Sequence, residues 1–175
     1  MTTMIRTLST RTAFGAAAVT CALLLSFGYY LQYARGLEPC PLCLVQRGFF
    51  YAVIITFAVA ALHGPRRPGT IVYAIIGILF AAGGAATASR QVWLQHLPAD
   101  KVPQCGPDLY FMLQNFPLSS TLQKLIQGSG ECAKVDWSFL GLSIAGWSLV
   151  WFAALLLYAA WLALRPAASA AAASR

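Results

Sequence analysis

Charge is scarce in this chain, and acid is scarcest. The 175 residues hold five Asp and Glu against twelve Lys and Arg, with two histidines, so 10% are charged. Soluble domains carry about 25% charged residues, so this sequence lacks the charge to cover a water-facing surface. The net charge of +7 does not point to nucleic acid, because no Lys/Arg run exceeds the pair Arg66–Arg67. The G-x-G-x-x-G and Walker signatures of nucleotide loops are missing, as is the H-E-x-x-H of zinc hydrolases. No segment repeats another. What abounds is apolar: 59% of residues, too many for a disordered chain and too many for one water-soluble core of this length. The excess faces lipid.

Four apolar stretches stand out: Ala13–Tyr33, Leu44–Leu62, Thr70–Ser89 and Ser143–Leu164, of 21, 19, 20 and 22 residues. About 20 helical residues cross the roughly 30 Å of bilayer hydrocarbon, and backbone groups in lipid must pair within their own segment. The expected fold is all-α, a four-helix transmembrane bundle. Gly77, Ala81, Gly84 and Ala88 share one face of the third stretch, which belongs inside the bundle because small residues let helices approach closely. The first stretch follows Arg6 and Arg11 like a signal peptide, but it is longer than an ordinary h-region and no A-x-A site follows, so it reads as retained.

The organisation expected is a cytoplasmic N-terminus at 1–12, a transmembrane domain at 13–165 and a cytoplasmic tail at 166–175, with outward loops at about 34–43 and 90–142. Segments 1–12, 63–69 and 165–175 carry six arginines and no acid. The opposite side holds six bases with all five acids. Lys and Arg alone are therefore balanced, but the short Pro-Arg-Arg-Pro turn reads as a cytoplasmic loop, and long loops translocate largely regardless of charge. Tyr29, Tyr30, Tyr33, Trp93 and Trp137 mark the outer span edges, and Tyr73, Tyr158 and Trp161 the inner ones. In the long loop, Leu109, Met112, Leu113 and Phe116, then Leu118, Leu122, Leu125 and Ile126, form two helical stripes. They read as short amphipathic helices, either on the membrane surface or packed over the bundle.

Four of the five cysteines, Cys40, Cys43, Cys105 and Cys132, fall in the outward loops; Cys21, within the first span, reads as a small buried apolar residue. Cys40-Pro41-Leu42-Cys43 is a C-x-x-C whose short ring makes it the natural local pair, leaving Cys105 with Cys132. Two stapling disulfides are one reading. A zinc site is another, but one C-x-x-C with two distant partners is poor zinc spacing, so no metal is expected. A redox pair is the third, and the surroundings of Cys43 favour it. Pro41 suits the first turn of a helix, which puts Cys43 at the positive end of the dipole. Arg47, one turn deeper, is the sole charge within the four stretches. It is either a functional group beside a thiolate or a side chain snorkelling to headgroups. Gly128 and Gly130, beside Cys132, read as loosening the loop or as an ordinary turn. His63 lies in the inner turn without a partner, and His96 reads as interfacial.

The segment Gly36-Leu37-Glu38-Pro39-Cys40-Pro41-Leu42-Cys43-Leu44-Val45-Gln46-Arg47 resembles the first periplasmic loop of the DsbB family. Trp93-Leu94-Gln95, Gln104-Cys105, Gly128-Ser129-Gly130-Glu131-Cys132-Ala133 and Trp137-Ser138-Phe139-Leu140-Gly141-Leu142 resemble its second loop. The likeness covers about residues 13–165. It implies a bacterial inner-membrane enzyme that reoxidises a periplasmic DsbA-like thiol oxidase and passes electrons to a membrane quinone, ubiquinone or menaquinone. Such a relay is the established means of keeping the bacterial periplasm oxidising. Carried over by motif, Cys105 forms the mixed disulfide with the partner, Cys132 attacks Cys40, and Cys43 is freed as a thiolate facing the quinone. Arg47 matches the family's arginine after the C-x-x-C, which the resemblance links to quinone binding and to stabilisation of the thiolate. Gln91 stands where some members have a histidine; it offers a quinone oxygen a hydrogen bond but no proton. The alternatives are a vitamin K epoxide reductase-like quinone reductase, for which a C-x-x-C near a later span is missing, and a non-catalytic, disulfide-stapled membrane protein.

Overall fold

The computed structural model describes residues 9–102, 114–117, 119–120, 128 and 130–165. Four helices within it are long and apolar enough to cross a membrane: α1 (Thr10–Arg35), α2 (Pro41–His63), α3 (Arg67–Gln95) and α4 (Ile144–Leu164). Helices α1, α2 and α3 outlast their apolar stretches, and α4 matches its own to within the one residue, Ser143, that caps it. Ser9 and Ser143 accept the N–H groups of Thr12 and Gly146, and left-handed Gly36 and Gly64 close α1 and α2. Helix α3 continues six residues beyond Ser89 into the expected loop. There the Arg90 guanidinium lies 4.2 Å over the Trp93 ring, and the Gln95 amide accepts from Ser143 Oγ at 2.7 Å, tying the end of α3 to the start of α4.

The helices pack in sequence, α1 on α2, α2 on α3 and α3 on α4. Helices α1 and α4 are linked at the inner end, where α1 begins, by the Tyr158 hydroxyl donating to the Ala13 carbonyl at 2.8 Å. The expected small face of α3 is buried: Gly77, Ala81, Gly84 and Ala88 all point inward. Gly77 leaves the space taken by the Phe57 ring, and Gly84 that taken by Phe152. Phe57 packs on Phe14 at 5.3 Å between centroids, and Phe50 stacks on Phe152 at 4.2 Å. Cys21 is buried in this core, as expected. The outward faces of the same helices are also apolar, with Val19, Leu23, Ile55, Leu79 and Leu157 exposed. A water-soluble bundle would place charge there; a lipid-facing one does not.

At the inner end Arg67 donates to the carbonyls of Leu162 and Ala163, at 3.2 and 2.6 Å, satisfying the last turn of α4. His63 is not partnerless as the sequence suggested: its Nδ1 lies 3.0 Å from the Tyr73 hydroxyl, because α2 runs on to His63 and brings it beside α3. At the outer end are two short 3₁₀ turns, Ala99–Lys101 and Gly130–Ala133, and a hairpin that lies outside the two helical stripes. Its strands, β1 (Ser138–Phe139) and β2 (Leu142–Ser143), pair antiparallel, joined by Leu140 and Gly141, both at positive φ. Of the two helical stripes in the long loop, Phe116 alone is described, and it is exposed; the other positions, and Cys105, lie outside the described residues.

Candidate functional site

The site begins with the cap of α2. Cys40 is extended at φ −66°, and its sulfur accepts the Cys43 N–H at 3.4 Å, the place usually taken by a serine or aspartate oxygen. Pro41 follows as the first helical residue. This geometry holds Cys43 in the first turn, its sulfur 3.0 Å from that of Cys40. Cys132 comes to the same point from the Gly130–Ala133 turn and is fully buried. Cys40 thus lies between two sulfurs, hydrogen-bonded to both. The contact with Cys132, then that with Cys43, then burial push the Cys40 thiol far above its ordinary range. Leu42 and Leu94 pack around the three sulfurs.

Gly128 lies against the same two leucines. Its φ of +76° is left-handed, and an added Cβ there would press on Leu94, with Leu42 at 3.3 Å. The position therefore packs against α2 and α3 and favours glycine, both for its left-handed φ and for the space a side chain would take.

Two amides complete the inner wall. Gln46 and Gln91 are 3% and 4% exposed, and with Thr70 they are the buried polar side chains among the described residues. Gln46 Nε2 donates to Gln91 Oε1 at 2.7 Å. Gln91 Nε2 then faces the sulfurs of Cys43 and Cys40, at 3.2 and 3.3 Å. Gln46 escaped the sequence reading. The signal was present, since an amide inside a span has no water to satisfy it and must find a partner.

Beside this cluster is a cavity of about 530 Å³, between the outer halves of α1 and α4. Its walls are Leu24, Phe27 and Leu31 of α1, Phe50 of α2, and Trp147 and Trp151 of α4. Cys43, Arg47 and Gln91 open onto it, and Trp137 and Phe139 of the hairpin region reach over it. Trp147 Nε1 donates to the Phe139 carbonyl at 3.0 Å, which fixes the hairpin to α4. Arg47 is half-buried and turned toward α1: its guanidinium donates to Gln32 Oε1 at 2.6 Å and to the Gly28 carbonyl at 3.3 Å, and lies 4.6 Å over the Tyr29 ring. Gln32 and Tyr29 were not anticipated as its partners.

Of the residues singled out from the sequence, Cys40, Cys43, Cys132, Arg47 and Gln91 thus converge on one corner of the bundle. Such an arrangement can pass a disulfide from one sulfur to the next by in-place exchange, because the middle sulfur touches both neighbours.

Comparison with known proteins is consistent with this chemistry. The family described as "Disulfide bond formation protein DsbB" matches residues 10–162. A protein of Aromatoleum aromaticum named "Disulfide bond formation protein B" is 54% identical over 142 residues, covering 81% of this chain and 85% of the relative. The protein of that name from Hahella chejuensis is 52% identical over 145 residues, covering 83% and 88%. One from Nitrosococcus oceani is 50% identical over 154 residues, covering 88% and 91%. With the match running from the start of α1 into the last turn of α4, the chain belongs to the DsbB family of membrane disulfide-forming oxidoreductases.

Proposed function

We propose that this protein reoxidises a periplasmic DsbA-like thiol oxidase and delivers the electrons to a membrane quinone, with both termini in the cytoplasm and the sulfur cluster at the periplasmic face. The observation that carries the reading is the position of Cys40. It touches Cys132 on one side and Cys43 on the other, and Cys43 borders an aromatic cavity within the span region. The acid-free arginine segments at the opposite end of the bundle support the orientation.

In this scheme a thiolate of the reduced partner attacks Cys105 of a Cys105–Cys132 disulfide and releases Cys132. The partner's second thiol then resolves the mixed disulfide and leaves oxidised. The Cys132 thiolate attacks Cys40 and breaks its bond to Cys43, so Cys43 carries the electron pair to the cavity wall. A DsbA-type disulfide is strongly oxidising, at about −120 mV, so the electrons need an acceptor outside the thiol pool.

A quinone fits the cavity by chemistry and size. Pockets for such ligands span roughly 300–1,000 Å³ and pair apolar walls with a few polar groups. Here Phe27, Phe50, Trp147 and Trp151 supply flat apolar surface, and Arg47 supplies a fixed cation for a carbonyl oxygen. When bound, the quinone accepts two electrons and two protons. The residues' own part is to bring Cys43 to the wall, to hold Arg47 against Gln32 and Gly28, and to exclude water with the Trp137–Phe139 roof.

The test is an anaerobic assay of the purified chain with a reduced DsbA-like protein and a series of ubiquinones and menaquinones. Quinone reduction matched mole for mole by partner oxidation is expected. Partner oxidation independent of quinone, or cysteine labelling that puts Cys40 and Cys43 on the cytoplasmic face, overturns the reading.

A further inference from the structure

The groups that reach the Cys43 sulfur among the described contacts are Cys40 and Gln91, while the Arg47 guanidinium is engaged by Gln32, Gly28 and Tyr29. We propose that Gln91 holds the Cys43 sulfur in its thiolate form, and that Gln46 is the positioning residue that fixes the Gln91 amide with its N–H side toward the sulfurs. The inference rests on the reading of Cys43 as the sulfur that faces the electron acceptor, and it names the groups that keep that sulfur reactive.

An amide has two unlike ends. Its oxygen accepts and its nitrogen donates, and the two ends have nearly the same shape, so surrounding hydrogen bonds decide which end points where. A thiolate is stabilised by donors and repelled by a carbonyl oxygen. Gln91 must therefore present Nε2 to Cys43, and Nε2 is the nearer end, at 3.2 Å, with Oε1 at 3.6 Å, where it can accept from the protonated thiol. What keeps it from turning over is Gln46. Its Nε2 donates to Gln91 Oε1 at 2.7 Å, so a turn of the Gln91 amide alone would set two N–H groups face to face.

Helical spacing makes the arrangement self-aligning. Gln46 is three residues after Cys43 on α2, on the same face, while Gln91 comes across from α3. Both are buried, and no buried side-chain nitrogen or oxygen among the described residues lacks a partner. Being neutral, the pair adds no charge to the apolar wall and has no proton to lose. Its donor strength is therefore constant across the physiological pH range, unlike that of an imidazole. Cys40 shares the same donor at 3.3 Å, so Gln91 follows the negative charge as it passes from one sulfur of the pair to the other.

The test uses reduced, quinone-free full chain in detergent. Iodoacetamide labelling of the Cys43 peptide is followed by mass spectrometry from pH 4 to 10. Substituting Gln91→Met removes the donor at conserved shape, and the labelling midpoint is expected to rise by about one to two pH units. Gln46→Met leaves Gln91 in place but frees it to turn. The midpoint is then expected to rise by about 0.3 unit or more, since a free amide shows its oxygen roughly half the time. Because Gln46 acts through Gln91, the double variant should match Gln91→Met alone. Additive shifts, or an unmoved midpoint in Gln46→Met, overturn the positioning role; an unmoved midpoint in Gln91→Met overturns the whole proposal. Gln46→Asn, which keeps the donor on a shorter stem, serves as a second variant should Gln46→Met fail to fold, and is held to the same expected rise. No partner or quinone enters this experiment, so its outcome is separate from that of the turnover assay.

Discussion

The two halves of the bundle solve the same problem in opposite ways. In the inner half, Phe14, Phe57, Ala60, Ala74 and Ala159 close the space between helices, and the buried polar side chain there, Thr70, is satisfied locally by the carbonyls of Pro65 and Arg66. In the outer half, the buried amides Gln46 and Gln91 are satisfied across helices, three sulfurs meet, and a cavity of about 530 Å³ remains beside them. The Phe50–Phe152 stack lies between the two regions, in the core on one side and, through Phe50, at the cavity wall on the other. Lipid tails are as apolar as the side chains, so helix association in a membrane relies on close packing and hydrogen bonds. The tightly packed half supplies the association, which leaves the other half room for chemistry.

That division is broken most severely by Cys43→Ser. Quinone reduction is expected to fall below detection, while a Cys105–Cys132 disulfide still exchanges with a reduced DsbA-like partner, measured by trapping the mixed disulfide. Normal turnover would remove Cys43 from its assigned place. Next comes the inner half. Gly77→Val puts a side chain where the Phe57 ring sits, and overpacking of this kind costs about 1–3 kcal/mol. Unfolding in detergent should show that loss, with the Cys43 labelling midpoint unchanged. Arg47→Met sharpens the contrast within the outer half. Loss of a charge-assisted hydrogen bond, about 1.5–3 kcal/mol, should raise the KM for quinone roughly tenfold or more and leave thiol exchange with the partner almost intact. Equal losses of both would mean that Arg47 matters to the fold through Gln32 and Gly28.

These expectations also mark what a linear reading reaches. The four helices were legible because their evidence is local: run length, a small-residue face and capping residues all lie within a few turns. The C-x-x-C at a helix start was legible for the same reason, since Cys40, Pro41 and Cys43 define that turn among themselves. The extension of α3 to Gln95 was not, because Arg90, Gln91 and Gln95 break the apolar run and their helix is held by the Trp93 ring and by Ser143, a residue 48 positions from Gln95. The Gln46–Gln91 pair was hidden likewise, its members being 45 positions apart on two helices. The sequence points Gln91 toward a quinone oxygen, whereas in the structure its amide is engaged by sulfur and by Gln46. The packing at Gly128 was out of reach for the same reason, because Leu94 and Leu42, which press on it, are distant in the chain.

The smallest expected effect concerns the roof of the outer half. Leu140 has a φ of +51° and Gly141 one of +80°, the pair of left-handed residues that a tight two-residue hairpin turn requires. Asparagine or glycine is the usual occupant of the first position, and a leucine held there costs about 1–2 kcal/mol. The side chain is 78% exposed, so burial within the bundle does not offset that cost. Leu140→Asn should therefore slow amide hydrogen exchange across Ser138–Ser143 by a few-fold, with the Trp147–Phe139 hydrogen bond retained and the sulfur cluster undisturbed. Were exchange to quicken instead, the leucine would be held by something outside the chain, and the membrane surface is what this tip would meet in the proposed orientation. Repeating the measurement in lipid nanodiscs and in detergent separates the two cases, because strain in the turn is the same in both and contact with a bilayer is not.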